Sequence, residues 1–361
     1  MNGTKGFFSE LEKAQDARGI LIAAPTEVPM IESLPFTPEI AERTRPIYER
    51  AKAAIPAAEW PLYAPYVDAI NRLKRERNAV ILAHNYQTPE IFHGVADIVG
   101  DSLQLAREAQ RADADVILVS GVHFMGETAK ILNPTRTVIV PDARAGCSLA
   151  ESITAADVRA LRAKHPGVPI VTYVNTSADV KAESDVCCTS SNAVKVVESL
   201  GVPRVIMIPD EFLAHYVASQ TSVEIISWQG HCEVHERFRA IDVERLREGE
   251  EGLLVIAHPE CPPDVIAAAD FAGSTAAMID FVRDRAPQRV VLLTECSMSD
   301  NVAVQFPNVA FVRPCNLCPH MKRNTLPKIL RALETLQDEI LVEEDVRVRA
   351  LAAVERMMAI V

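Results

Sequence analysis

VILVSGVHFMGETAKILNPTRTVIVPDARAGC, residues 116–147, decides how this sequence is read as a fold. A short aliphatic run, VILV, gives way to a longer amphipathic stretch and then to a second run, VIV, at 138. Short, continuous apolar runs separated by helix-length segments are the pattern of a parallel sheet covered by helices. Nine residues after the start of VIV stands a cysteine, Cys147.

Outward from this stretch the same pattern recurs. Nine runs (AVILA, VILV, VIV, IVTYV, VIMI, VEIISW, LLVIA, VVLL and VAFV) begin at 79, 116, 138, 170, 205, 223, 253, 290 and 309. Grouped in threes, their internal steps are 37 and 22, 35 and 18, and 37 and 19. The groups open at 79, 170 and 253, so a domain-sized α/β unit is used three times, too long for a solenoid repeat. Cys232 and Cys318 also lie nine residues after the third run of their groups, 85 and 86 residues apart from one cysteine to the next. Three such thiols converge if the repeats pack around a pseudo-threefold axis. The expected organisation is an N-terminal extension over 1–60, α/β repeats over 61–147, 148–232 and 233–318, and C-terminal helices over 319–361. Within the extension only about Pro38 to Ala54 reads as a helix.

Composition narrows the function. The 361 residues are 48% hydrophobic, enough for full cores. Forty-nine acidic against 37 basic residues give −12, which argues against a nucleic-acid or anionic-membrane surface. No apolar run approaches the roughly 18 residues of a membrane span. The first 25 residues put acids where a signal peptide needs basic and apolar segments, so a cytoplasmic chain is expected. In that compartment eight cysteines read as thiols or metal ligands, not as a disulfide framework.

Thiolates suit zinc or iron–sulfur clusters. Structural zinc closes with four ligands, often two C-x-x-C pairs; here Cys315 and Cys318 form one pair and no second exists. A four-iron cluster with only three cysteines keeps one iron open, which points to substrate binding at iron. Cys147, Cys232 and Cys318 are the expected ligands, with Cys315 a rival for the third place. Cys187, Cys188, Cys261 and Cys296 read as buried, inert thiols.

Polar residues follow the first run of each group: His84-Asn85-Tyr86-Gln87, Asn175-Thr176-Ser177 with Tyr173 just inside the strand, and His258-Pro259-Glu260-Cys261. These are the carboxyl ends of strands, where open α/β sheets place their sites, and a His or Glu there can shuttle protons. Gly100-Asp101-Ser102, Cys188 to Asn192 and Gly273-Ser274-Thr275 each precede an amphipathic run. They read as helix starts that bind an anion or simply cap the helix. The chain has no G-x-G, no phosphate-loop motif and no G-x-S-x-G elbow. His231 and His235 are spaced i, i+4, but without H-E-x-x-H; His235 can instead face the same site as Cys232.

HNYQ at 84–87, GDS at 100–102, AGCSLAES around Cys147, YVNT at 173–176 and CCTSSNA at 187–193 occur in order. WQGHCEVH at 228–235, HPEC at 258–261, GST at 273–275 and NLCPHMKRNTL at 316–326 follow. Together they resemble the quinolinate synthase family, the A protein of bacterial de novo NAD synthesis, over roughly residues 60 to 335. The resemblance implies three homologous three-layer αβα domains with the active site at their shared interface. It implies one [4Fe-4S] cluster on Cys147, Cys232 and Cys318. The implied reaction condenses iminoaspartate with dihydroxyacetone phosphate to quinolinate, losing phosphate and two waters; L-aspartate oxidase would supply the iminoaspartate.

The resemblance also implies roles. His84 and Tyr86 handle the triose, and Ser102 and Ser190 hold phosphate or carboxylate. Tyr173 and Asn175 touch substrate near the cluster. His258 and Glu260 bind and move protons, Thr275 holds a carboxylate and His235 lines the cavity. Two other readings stand beside this one: an iron–sulfur hydro-lyase of a different substrate, and a zinc- or cluster-stabilised binding protein.

Overall fold

The computed structural model describes residues 34–248 and 252–360. The N-terminal segment that carries the reading on export, and the first part of the expected extension, lie outside the described residues.

Three parallel four-stranded sheets form the framework, each with the same strand order. The first is β2-β1-β3-β4, from β1 (Ala79–His84), β2 (Ile98–Gly100), β3 (Val116–Ser120) and β4 (Thr137–Ile139). The second is β6-β5-β7-β8, from β5 (Ile170–Tyr173), β6 (Val186–Cys188), β7 (Arg204–Ile208) and β8 (Glu224–Ser227). The third is β10-β9-β11-β12, from β9 (Leu253–Ala257), β10 (Phe271–Ala272), β11 (Arg289–Leu293) and β12 (Ala310–Val312). The nine expected strands are present and each begins within one residue of its expected start. The additional three, β2, β6 and β10, are edge strands of two or three residues, too short for any period to show in the sequence.

Each sheet separates two apolar cores, which makes three layers. In β1 and β3, Ile81, Ala83, Val116 and Leu118 face one core while Leu82, Ile117 and Val119 face another. In β5 and β7, Val171 and Met207 alternate with Ile170 and Ile206; in β9 and β11, Val255 and Val291 alternate with Ile256 and Val290. This period-2 alternation between two buried faces is why the runs are apolar throughout. The helices Trp60–Glu76 and Leu326–Thr335 cover the outer face of the first sheet, with Ala51 and Ile55 from the helix Pro38–Ala51 and its exit in the same cluster. The helix Glu344–Ala359 puts Ala350, Val354 and Met357 into the core shared by the first two sheets. No helix among the described residues is long and apolar enough to cross a membrane.

Two local devices recur in all three repeats. Asp97, Asp185 and Asp270 accept the backbone N–H of Ile81, Ile170 and Val255 at 2.8, 2.7 and 2.7 Å. Each also pairs with a cation from the preceding helix: Lys74 at 2.7 Å, Arg162 at 3.0 Å and Arg247 at 2.9 Å. The carboxylate ties helix, edge strand and central strand together at one end of each sheet. At the other end the carbonyls of Cys147, Cys232 and Cys318 each accept the N–H four residues on, from Glu151, Glu236 and Lys322, at 3.0, 3.0 and 3.1 Å. Each cysteine thus opens one tight turn.

Candidate active site

The strand ends of the three sheets meet at a cavity with about 720 Å³ of empty space. Every residue expected as a cluster ligand or as a substrate or proton-handling group lines it, while Asn85, Gln87, Cys187, Cys188, Cys261 and Cys315 do not. His84, Tyr86, Ser102 and Cys147 come from the first repeat, and Tyr173, Asn175, Ser190 and Cys232 from the second. His235, His258, Glu260, Thr275 and Cys318 come from the third. Parallel strands bring this about because all their carboxyl ends point the same way, and the loops that follow them are the only backbone free to carry polar side chains.

Ser102 is the first residue of the helix Ser102–Arg111, whose N-cap Asp101 accepts Gln104 N–H at 2.8 Å. Thr275 likewise opens the helix Thr275–Arg285 after the N-cap Ser274. Ser190 differs: the N-cap of the helix Ala193–Ser199 is Asn192, so Ser190 sits just outside it. Thr275 Oγ1 accepts from Asn85 Nδ2 at 2.9 Å, a tie from the first repeat to the third. Asn175 Oδ1 is buried without a protein partner and lines the cavity, as a group kept for a ligand would be.

Glu260, 4% exposed, is the electrostatic centre. Its Oε1 accepts the Tyr173 hydroxyl at 2.5 Å, and its Oε2 lies 2.8 Å from His235 Nδ1. His258 Nδ1 stands 4.0 Å away, its ring stacked on His235 at 4.7 Å. Burial pushes the Glu260 carboxyl up, but His235, His258 and the two hydrogen bonds more than reverse this and hold it well below the usual range. It is therefore a carboxylate at neutral pH. Burial lowers His258 to about 3 and His84 to about 4, so both rings are neutral and free to bond as donor and acceptor. Burial raises the Tyr86 and Tyr173 phenols well above their ordinary values.

Sequence reasoning did not find Thr294. It lies just after β11 and joins Tyr86 to His235, with its Oγ1 2.6 Å from the Tyr86 hydroxyl and 2.9 Å from His235 Nε2. Its position one strand over from HPEC gave no spacing signal. Lys322 was missed too: its Nζ donates to Tyr86 O at 2.7 Å and Ser297 Oγ at 2.8 Å and pairs with Glu295 at 2.8 Å. Glu233 and His320, each beside a cavity cysteine, line the cavity and pair at 2.8 Å. Their adjacency to Cys232 and Cys318 was the available signal.

The three cavity cysteines fit a shared metal group. Backbone N–H groups two and three residues on point at each sulfur: Leu149 and Ala150 at Cys147, Val234 and His235 at Cys232, His320 and Met321 at Cys318. The threefold arrangement supports anionic sulfur, although burial without a metal keeps the thiols protonated, Cys147 pushed up to about 12. Cys187, Cys188 and Cys261 are buried thiols outside the cavity. Cys296 departs from its expected reading as an inert buried thiol: it is half-buried and joined to Cys315 as a disulfide, Cα atoms 4.9 Å apart. Strand β11 delivers Cys296 beside the loop after β12, which leaves Cys315 outside the cavity lining.

Cys232, His235 and Glu260 also bring ligand atoms within 4.8 Å of one another, a spacing that suits a single ion. Both ring nitrogens of His235 and both oxygens of Glu260 already have protein partners, so this trio is accounted for without one.

A triplicated α/β chain with three thiols and a buried acid–base network around one cavity defines a class: enzymes acting on small polar molecules, with a thiol set compatible with a metal cofactor. The profile of the Quinolinate synthetase A protein family matches residues 68–359. Quinolinate synthase 2 of Mesorhizobium japonicum is 66% identical over 314 residues, 87% of this chain and 97% of that protein. The quinolinate synthase of Sinorhizobium medicae is 62% identical over 325 residues, 90% of each chain. That of Xylella fastidiosa is 68% identical over 294 residues, 81% of this chain and 87% of its own. The chain belongs to the quinolinate synthase family.

Proposed function

We propose that this chain condenses iminoaspartate with dihydroxyacetone phosphate to give quinolinate, releasing phosphate and two waters, in the cytoplasm and in functional partnership with L-aspartate oxidase. The observation that supports it best is the meeting of three equivalent cysteines and three polar strand ends at one cavity, in a chain of this family. Cys147, Cys232 and Cys318 would hold a [4Fe-4S] cluster, which supplies, when bound, an iron with an open position able to polarise a hydroxyl or carboxylate oxygen.

The chain's own residues do the rest. Ser102 and Ser190 hold the phosphate or a carboxylate, Thr275 holds a carboxylate, and Asn175 Oδ1 accepts a substrate hydroxyl or N–H. His84 and Tyr86 receive the triose, with His84 neutral and so able to bond a hydroxyl without repelling a proton. Tyr173 and His258 orient the substrate carbonyl around the Glu260 carboxylate.

Proton transfer follows from the hydrogen-bond chain. Since Glu260 is ionised, His235 Nδ1 carries the proton between them, and His235 Nε2 accepts the Thr294 hydroxyl. Thr294 Oγ1 in turn accepts the Tyr86 hydroxyl. Tyr86 can therefore take a carbon-bound proton while passing its own through Thr294 to His235, and the imidazolium, held by Glu260, returns that proton so that the departing hydroxyl leaves as water.

The test is anaerobic protein incubated with both substrates. Quinolinate in the product, from brown protein carrying iron and sulfide, is the expected result. Colourless protein with stoichiometric zinc and no quinolinate overturns the reading. A brown protein that dehydrates another hydroxy acid but forms no quinolinate favours the hydro-lyase alternative.

A further inference from the structure

A groove with about 1290 Å³ of empty space lies immediately outside the serine-bearing end of the cavity. Asp101 lines both, and the groove is also lined by Ser191 and Ala276, the chain neighbours of Ser190 and Thr275 within. Met358 and Ile360, at the end of the helix Glu344–Ala359, form another wall.

The charges around this groove do not balance. Arg107, Arg111 and Lys195 face two acids nearby, Asp101 and Glu108. Glu108 is taken up by Arg111 at 3.1 Å. Asp101 is buried and spends one oxygen on Gln104 N–H at 2.8 Å; burial, opposed by its hydrogen bonds and by Arg107, holds its carboxyl above the usual range. Arg107 and Lys195 have no carboxylate within ion-pair distance among the described residues; Arg107 donates to the Met358 carbonyl at 3.3 Å. In a chain of net charge −12, two cations without a carboxylate at ion-pair distance, beside a cavity lined by hydroxyls, make a local concentration of positive charge.

We propose that this groove is an outer anion site, where Arg107 and Lys195 hold a small phosphate dianion next to the serine-lined end of the cavity. The inference rests on the reaction proposed above. Its two sources share one chemistry: a triose phosphate on its way in, and the inorganic phosphate that must leave. A net-negative protein repels both, and a concave positive mouth offsets that repulsion where it matters. Neither cation reaches the reacting atoms, so the site acts on capture and release.

Calorimetric titration of the anaerobically purified full chain tests this, with inorganic phosphate in one arm and glycerol 3-phosphate, an unreactive triose phosphate mimic, in the other. In Ser102→Ala/Ser190→Ala protein, which weakens the inner contacts, residual phosphate binding should remain. Adding Arg107→Gln and Lys195→Gln should weaken it about tenfold at low salt. Arg107→Lys, which keeps the charge, should preserve it, and raised chloride should mimic the glutamine pair. Residual binding of either phosphate species to the serine-pair protein that the glutamine pair weakens upholds the site, and the tighter species tells which direction it serves. Wild-type affinity and salt dependence in the glutamine pair, or no phosphate binding once the two serines are gone, overturns it. Because no turnover is needed, absent quinolinate with this binding intact counts against the proposed reaction alone.

Discussion

Replacing Thr294 by valine removes one hydroxyl from the centre of the site and keeps nearly the same volume. Two hydrogen bonds go, at 2.6 and 2.9 Å, and the Tyr86 hydroxyl and His235 Nε2 lose their partner at a position where Thr294 has no exposed surface. Each orphaned group costs about 1–3 kcal/mol if nothing replaces the bond, so a stability loss of about 2–6 kcal/mol is expected. The loss in turnover should be larger in kind. A proton path worth about 10²–10⁴ in rate is cut, corresponding to about 3–5 kcal/mol on the barrier. Thr294→Ser restores the hydroxyl without the methyl group and should recover most of the rate. The assay is quinolinate formation under saturating substrates by anaerobic protein, with iron content and thermal midpoint measured on the same samples. If Thr294→Val is destabilised yet turns over within about threefold of wild type, the hydroxyl is only a structural bond and the relay is wrong.

Other outcomes follow from the same geometry. Cys147→Ala, Cys232→Ala and Cys318→Ala should each lose the brown chromophore, while Cys315→Ala should keep it; the reverse pattern at 315 and 318 would sink the ligand assignment. Asp185→Ala removes the acceptor of Ile170 N–H and the partner of Arg162, and should cost about 1–3 kcal/mol in urea unfolding, with Asp270→Ala behaving alike. His93 has a buried, unpartnered Nε2, and burial, aided by Arg50, lowers its pKa to about 4 from 6.5. Because the unfolded state binds this proton first, His93 favours the fold above pH 6.5 and that advantage is lost as pH falls from 6.5 towards 4, by at most about 3 kcal/mol. His93→Leu should flatten the stability profile in that window, and an unchanged acid slope in the variant would refute this account.

Much of the framework was legible because it rests on local rules. Doubly buried strands must be apolar throughout, so AVILA, VILV and their counterparts announced nine strands and a triplication. Where a strand is only Phe271 and Ala272, no pattern exists to read; pairing with β9, at Phe271↔Ile256 and Ala272↔Ala257, makes it a strand. The aspartate latches escaped notice for a related reason. Asp97, Asp185 and Asp270 look like ordinary surface acids in a row of letters, and only their shared partners, a strand N–H and a helix cation, identify them as one device. The lone cysteines had a detectable signal in the equal nine-residue offset. Cys296 did not, because its partner Cys315 reaches it only through the neighbouring strands β11 and β12.

By itself, then, the sequence determined where nine of the strands begin, the threefold repeat and the residues that end up at the carboxyl ends of the strands. These depend on side-chain periodicity and chain distance, which are properties of neighbouring letters. Tertiary structure decided the rest: that Thr294 links Tyr86 to His235, that Glu260 is ionised between Tyr173 and His235, and that Cys315 lies outside the cavity lining. Those contacts of Thr294 and Glu260 join residues 25 to 208 positions apart in the chain. Their energies come from burial and from the low-dielectric interior that three separate domains create only when they meet.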